Sequence, residues 1–470
     1  MVCRGARTVS IETTDRLISH ISKAAYVDLG SLDIEKAKIF LLDTFGVGIA
    51  GSSGASIKEL LETVQAWGTG NEATVWVTGE RVSAQAAAIV NAYQIHCLEY
   101  DCVHEGAVVH PMATVLSTMM AYAERRSLRG QPISGSEFLV AMVVGIDVAA
   151  YLGMAATGPV RFFRPATAGG LGATAAISFL EGLDPSGIKS AMGNMYGQTC
   201  GTLQPHSEGS PLLGLQIGFN ARGALSALDL ATAGFRGPSD FIDGAYGYLR
   251  MFEANQFNLD LIWNDLGKVW QVSQLSHKPF PSGRLTHGVV DALMKVTSRL
   301  GITSDDIEGI TGYVPPLVYR LVGRPLLPNP EPNYAKLCLR YVAGAWMAKG
   351  KVDVPEFASA EILCDPIVHA QAAKVEIICD ENPDENALDP QRFVFRLFDG
   401  RKEEVVLPTV YGHPESPLTS EENLAKFERC VSFASRRIPR ANAEELVSKV
   451  QTIEDLPDVA ELVRLTIGET

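Results

Sequence analysis

The 470-residue chain lacks the patterns that mark several large protein classes. Its eight cysteines, Cys3, Cys97, Cys102, Cys200, Cys338, Cys364, Cys379 and Cys430, form no CxxC pair and keep no regular spacing. That argues against a disulfide framework and against a zinc site, and most stand in apolar contexts as small core residues of a reducing compartment. Positive charge is scarce: 40 Lys and Arg face 54 Asp and Glu, for a net −14. A nucleic-acid partner and an anionic membrane surface are therefore not expected. No apolar run is long and charge-free enough for a membrane span; the richest, Phe138 to Asp147, is short, ends in an acid and reads as a buried helix. Internal repeats, low-complexity tracts and charge blocks are missing. Arg4 and Arg7 stand near the start without an apolar stretch behind them, which argues against a secretory signal. A cytoplasmic location is expected, with the mitochondrial matrix as the alternative.

What is present is a large, ordinary core: 46% of residues are hydrophobic, and the length fits two or three domains. From about residue 13 to 273 the apolar periodicity is helical throughout. Gly46 and Gly48, inside the apolar helix that begins near Ser31, imply close approach of another backbone. The glycines of Arg161-Phe-Phe-Arg-Pro-Ala-Thr-Ala-Gly-Gly-Leu-Gly172 come in the wrong order for a phosphate loop and read as tight helix packing. Near residue 274 the character changes. A breaker-rich, cationic linker (Ser276 to Arg284) leads into a helix over 286–300. Strand-like runs at 307–314, 374–379, 392–398 and 403–407 follow, with a hairpin at Asp399-Gly400-Arg401 and a helix over 333–347. Amphipathic helices return from Ser420. The pattern predicts a mainly α protein: a large helical domain over 1–273 and 409–470, with a smaller α+β lid inserted at 274–408.

The stretch richest in chemistry runs from Glu99 to Pro111 and holds three acids and two histidines between two apolar helices. Pro111 suits the first position of a helix. His110 then stands at or beside the N-cap, where the helix dipole favours negative charge, so the ring is held near neutral and ready to accept a proton. Asp101 and His104, three apart on a last helical turn, are expected to share a face. The plainer reading is a set of cap and turn residues around a satisfied histidine. The gathering of titratable groups favours a functional one. An anionic substrate of so acidic a chain needs a locally basic pocket, and Lys278, Arg284 and Arg164 stand at junctions that could supply it. Gln204-Pro-His206 belongs to a polar loop suited to lining a cleft.

Five stretches carry a resemblance: Leu41-Leu-Asp-Thr-Phe-Gly-Val, the Asp101 to His110-Pro111 window, Lys278-Pro-Phe-Pro with Thr286-His287-Gly, Gly323-Arg324-Pro325 with Ala335-Lys336-Leu, and Val410-Tyr-Gly-His413-Pro. On these, over nearly its whole length, the chain resembles the MmgE/PrpD family. That family includes 2-methylcitrate dehydratase, cis-aconitate decarboxylase and iminodisuccinate epimerase. The resemblance implies a homodimer without metal or organic cofactor and a site between the two domains. It also implies a small carboxylate substrate with two or three acid groups, and proton abstraction beside one of them. It puts Asp101, His104, His110 and Lys278 in the catalytic set and His287 and Arg324 beside the substrate, where Arg164 and Arg284 are expected, as cations at junctions, to help bind it. Three positions depart from the decarboxylases: Phe163 or Arg164 in place of a histidine, Leu213 in place of a lysine, and Leu321, with Tyr319 nearby, in place of a tyrosine. The expectation is a hydro-lyase like methylcitrate dehydratase, with a dicarboxylate epimerase as the alternative. A decarboxylase or an inactive scaffold ranks below these.

Overall fold

The computed structural model describes the backbone of residues 7–469 and side chains from residue 12. Cys3 and Arg4 lie outside that described set, and of Arg7, the other residue behind the targeting expectation, only the backbone lies within it. The fold is mainly helical with small sheets. Its helical unit is built around the helix Arg164–Leu180, every residue of which is buried from Arg164 to Ser178. Three long helices pack on it: Pro111–Leu128, Gly135–Met154 and Leu212–Thr232. The glycine run makes this possible. A Cβ on Gly172 would come within 2.3 Å of the Gly145 carbonyl oxygen, so two backbones touch where side chains would hold them apart. Gly135–Met154 is apolar and long enough to span a bilayer, but 89% of its most apolar window is buried inside the protein. Its Asp147 is held by His20 at 2.9 Å and by the Gln271 amide at 2.7 Å.

The helix Ser31–Gly51 lies across Ala84–His96. The close approaches at Gly46 and Gly48 are to rings, a correction to the expected backbone: Cβ atoms there would meet the Phe427 ring at 2.9 Å and the Trp76 ring at 2.6 Å. The backbone contact falls at Gly51, whose added Cβ would sit 1.7 Å from the Gln94 carbonyl oxygen.

The second hydrophobic core gathers residues from Val289 to Val410. A four-stranded sheet runs in the order Val375–Cys379, Ile307–Val314, Gln391–Leu397, Lys402–Leu407, the first pair parallel and the rest antiparallel. The helix expected over 333–347 is two pieces, Pro332–Lys336 and Leu339–Lys349. The break lets the buried Lys336 ammonium reach back to the Cys97 carbonyl at 3.0 Å. The helix Ser420–Ser432 then returns to pack on Ser31–Gly51.

A two-residue strand pair joins the units. Val103–His104 runs antiparallel to Leu275–Ser276, with Val103 opposite Ser276. The pairing carries the start of the cationic linker to the acidic window and so delivers Lys278.

The helix that ends in His96 is seated through Gly51. Gly51→Ala drives a methyl into the Gln94 carbonyl and is expected to cost at least ~1–3 kcal/mol. The melting temperature checks this; an unchanged value would mean the two helices are not in fixed contact.

Candidate active site

The window does not continue the preceding helix. Ala84–His96 ends at His96, and residues 97–102 turn back under it. Asp101 therefore does not share a helical face with His104; it faces His96. The Nδ1 of His96 lies 3.1 Å from both carboxylate oxygens of Asp101, and its Nε2 lies 3.3 Å from Oε1 of Glu99. The Lys278 ammonium donates to Glu99 at 3.0 Å and stands 3.8 Å from Asp101. His110 closes the group, its Nδ1 3.6 Å from Asp101. Two strained residues shape the window: Glu99 and Val108 both hold φ at +54°, in the left-handed region that non-glycine residues seldom adopt.

Burial opposes every charge in this cluster, and mutual pairing decides the outcome. For His96, Asp101 and Glu99 outweigh burial and lift the pKa to about 9, so the ring is protonated at neutral pH. Asp101, against burial, is held down to about 2 by His96, His110 and Lys278. Glu99 is likewise held well below its usual range by Lys278 and His96. His110 goes the other way: burial, then the Lys278 charge, push it down to about 4, so it is neutral.

The tautomers follow from the partners. A carbonyl only accepts, so the His110 Nδ1 at 2.9 Å from the Cys102 oxygen carries the hydrogen. Its Nε2 is left as a free lone pair, with no protein partner among the described residues. His206 is the mirror case. A guanidinium only donates, so the His206 Nδ1, 2.9 Å from Arg324, is the acceptor and Nε2 carries the hydrogen. His206 too is lowered to about 4, by burial and by Arg324. His110 and His206 line one cavity of about 660 Å³, mouth included, between the helical unit and the α+β unit.

Two helices begin at its wall. His110 is the N-cap of Pro111–Leu128 and Phe163 that of Arg164–Leu180, and neither side chain caps its helix. Pro111 and Pro165 carry no N–H and the Ala166 amide donates to the Phe163 carbonyl at 3.0 Å, so the first-turn amides left for an anion are those of Met112 and Ala113 on the first helix and of Arg164 on the second.

The expected residues divide. Asp101, His110 and Lys278 come together; Arg164 and Arg284 line the cavity. His104 does not join them: Nε2 faces Gln271 at 2.9 Å and Nδ1 accepts from the Ala107 amide at 3.1 Å, so both ring nitrogens hold the turn. His287 is buried against Phe280 and faces the Ser282 carbonyl at 3.2 Å. Arg324 reaches the cavity only through His206 and the Leu321 carbonyl. The sequence reading gave no role to His96 or Glu99. The signal was there, a histidine five residues before Asp101, but the assumed helix turned it away. Leu213 is buried in the helical core, whereas Phe163 and Leu321 line the cavity.

His96, Asp101 and His110 offer ligand atoms within 4.8 Å of one another, a set that could hold a metal ion. Electrostatics oppose it. The Lys278 ammonium already sits 3.8 Å from the same carboxylate, and His96 is itself a cation.

Lys278 is wholly buried, which corrects the view of it as an open substrate-binding cation. Lys278→Met would strand Glu99 beside Asp101 and is expected to cost ~3–5 kcal/mol of stability. Chemical denaturation checks this; a loss under ~1 kcal/mol would mean the pair is not buried as described.

Residues 15–260 match the MmgE/PrpD N-terminal domain and residues 280–455 the MmgE/PrpD C-terminal domain. The second match runs past the sheet into the returning helices. Cis-aconitate decarboxylase of Mus musculus is 30% identical over 463 residues, 93% of this chain and 89% of that protein. A cis-aconitate decarboxylase-like protein of Aspergillus oryzae is 27% identical over 476 residues, 97% of each. In sequence and in fold, the chain belongs to the MmgE/PrpD family.

Proposed function

We propose that the chain is a lyase that moves a proton at the carbon beside a carboxylate and expels water, a hydro-lyase in the manner of 2-methylcitrate dehydratase. The observation that carries this reading is His110: neutral, fixed as the Nδ1–H tautomer, with its Nε2 lone pair on the wall of an anion-accepting cavity.

The substrate carboxylate sits toward the two open helix starts. The His110 Nε2 takes the proton from the neighbouring carbon, and charge flows onto the carboxylate oxygens. Such protons are poorly acidic, so that developing charge must meet donors already in place. The His206 Nε2–H and the first-turn amides are those donors; a neutral imidazole kept as a hydrogen donor suits this task. Asp101 steadies the imidazolium that His110 becomes. The electron pair then forms the carbon–carbon double bond as the carbon–oxygen bond breaks. His110 returns its proton to the departing hydroxyl, and water leaves.

Decarboxylation is the second reading, favoured by the names of the relatives, a cis-aconitate decarboxylase and a protein like one. Against it stand Phe163 and Leu321, apolar groups on the cavity wall where the family resemblance expects a histidine and a tyrosine. Epimerisation needs a second group that gives up a proton. His206, already neutral, would have to become an imidazolate.

His110→Gln should cut turnover by at least ~10²-fold with the fold intact. In the wild type, kcat/KM should fall on the acid side near pH 4, since the base is lost only when His110 gains a proton. Alkene absorbance and deuterium uptake from heavy water, across a panel of hydroxy acids, read both. An acid limb at the ordinary histidine value, or full activity in His110→Gln, would contradict the assignment.

A further inference from the structure

We infer that the α+β unit carries a second binding site, apart from the proposed reaction, for a small anion with two or more phosphate or carboxylate groups. The site is a cavity of about 1490 Å³, mouth included. It is walled by the strand Val375–Cys379, the helix Leu339–Lys349 and the turn at Gly323-Arg324-Pro325. It shares no lining residue with the cavity of His110: Leu321 and Val322 face that one, Gly323 and Arg324 this one.

Charge carries the argument. Four cations line the cavity, Arg324, Arg340, Lys374 and Arg396, against two acids, Glu308 and Glu376. Four less two leaves a local surplus of two positive charges, in a chain whose net charge is −14. Contacts within the protein do not cancel it. Arg324 donates to the carbonyl and Nδ1 of His206 and to the Leu321 carbonyl, all neutral acceptors. Three of its five N–H groups are used in this way and two are left. The Lys374 ammonium donates to the Ile307 carbonyl at 2.8 Å. Arg396 reaches the Thr311 hydroxyl at 3.4 Å and Glu308 only at 3.9 Å. The Arg340 side chain makes no hydrogen bond and no ion pair among the described residues, yet its Nε is buried. Native proteins rarely leave such a donor unmatched, and an acceptor on a ligand would match it.

The donors set the class of ligand. Guanidinium groups hold carboxylates and phosphates through two parallel N–H bonds, a planar match that an ammonium lacks. Arg324 and Arg340, with N–H groups to spare, therefore suit two oxyanion groups, and the surplus of two charges suits a dianion or a trianion. A monoanion would leave half of that surplus in place. Arg324 also joins this cavity to the other, since the same guanidinium holds His206.

Calorimetric titration of the full chain at low ionic strength tests this, with pyrophosphate and tricarballylate as the phosphate and carboxylate probes. The wild type should bind at least one of them, less tightly as salt is added. Arg340→Gln should weaken that binding about tenfold or more, as loss of a hydrogen bond between charged groups does. Arg396→Gln, a change at an exposed residue, should weaken it about threefold. Arg440→Gln, at an exposed cation elsewhere, should bind as the wild type does. The probe that loses affinity in Arg340→Gln names the class of ligand. The cavity of His110 also accepts anions, and the variants separate the two sites. Binding unmoved by Arg340→Gln, or by Arg396→Gln where the first variant does not fold, would overturn the inference. So would an equal loss in Arg440→Gln, or no binding of either probe tighter than about 1 mM. Turnover is not read, so failure here leaves the proposed reaction untouched.

Discussion

The structure depends on a buried set of charges that satisfy one another: Lys278 with Glu99, and His96 with Asp101. Each group alone would be costly in so enclosed a place, because removing an ion from water costs several kcal/mol. Together they alternate in sign through contacts of 3.0 to 3.3 Å. The arrangement fixes more than stability. It sets two histidines in opposite states a ring apart, with centroids 5.2 Å from each other. His96 lies between two carboxylates and keeps its proton. His110, with Asp101 at 3.6 Å, is pushed down by burial and then by the Lys278 charge, and loses its own. The contrast follows from whether nearby carboxylates outweigh burial, and it gives the proposed base its ready form at neutral pH.

The same set ties the halves of the molecule together. Glu99 and Asp101 come from the helical unit; Lys278 comes from the linker to the α+β unit. The strand pair of Val103–His104 with Leu275–Ser276 holds those segments in register. Lys426, from the returning helix Ser420–Ser432, reaches Asp43 at 2.7 Å and the Tyr100 carbonyl at 3.0 Å, and so braces the window from behind. The linkage to pH has two signs. His96, raised in the folded state, adds stability that is complete below its unfolded pKa and lost as pH rises through about 9. His110, lowered, makes the fold less stable as pH falls from the ordinary histidine value toward about 4.

Much of this was legible in the residues. Pro111 announced a helix start, and with it the place of His110. The strand runs and the Asp399-Gly400-Arg401 turn announced the sheet, since their alternation and turn chemistry are local signals. The ion pairs were not legible, because they join residues far apart in sequence: Arg164 with Glu253, Arg284 with Glu105, Lys278 with Glu99. Counting cations suggested a basic pocket and a substrate of several carboxylates, but each cation had a partner that periodicity does not reveal. His104 was misread for a related reason. The helix ends at His96 and the turn over 97–102 comes before Asp101, while His104 lies in the short strand pair beyond it, so helical spacing no longer applies. His206 stood in a loop recognised as cleft-lining, yet its tautomer waited on Arg324.

The central claim is that one buried charge set holds His96 protonated and His110 neutral as the Nδ1–H form. Nuclear magnetic resonance of the protein carrying ¹⁵N-labelled histidine, followed across pH, tests it most directly. The account predicts one imidazole, removed by His96→Asn, that titrates near pH 9, and another, removed by His110→Gln, that stays neutral down to about 4 with its hydrogen on Nδ1. If both rings titrate together near the ordinary histidine value, or if His110 carries its hydrogen on Nε2, the account is wrong.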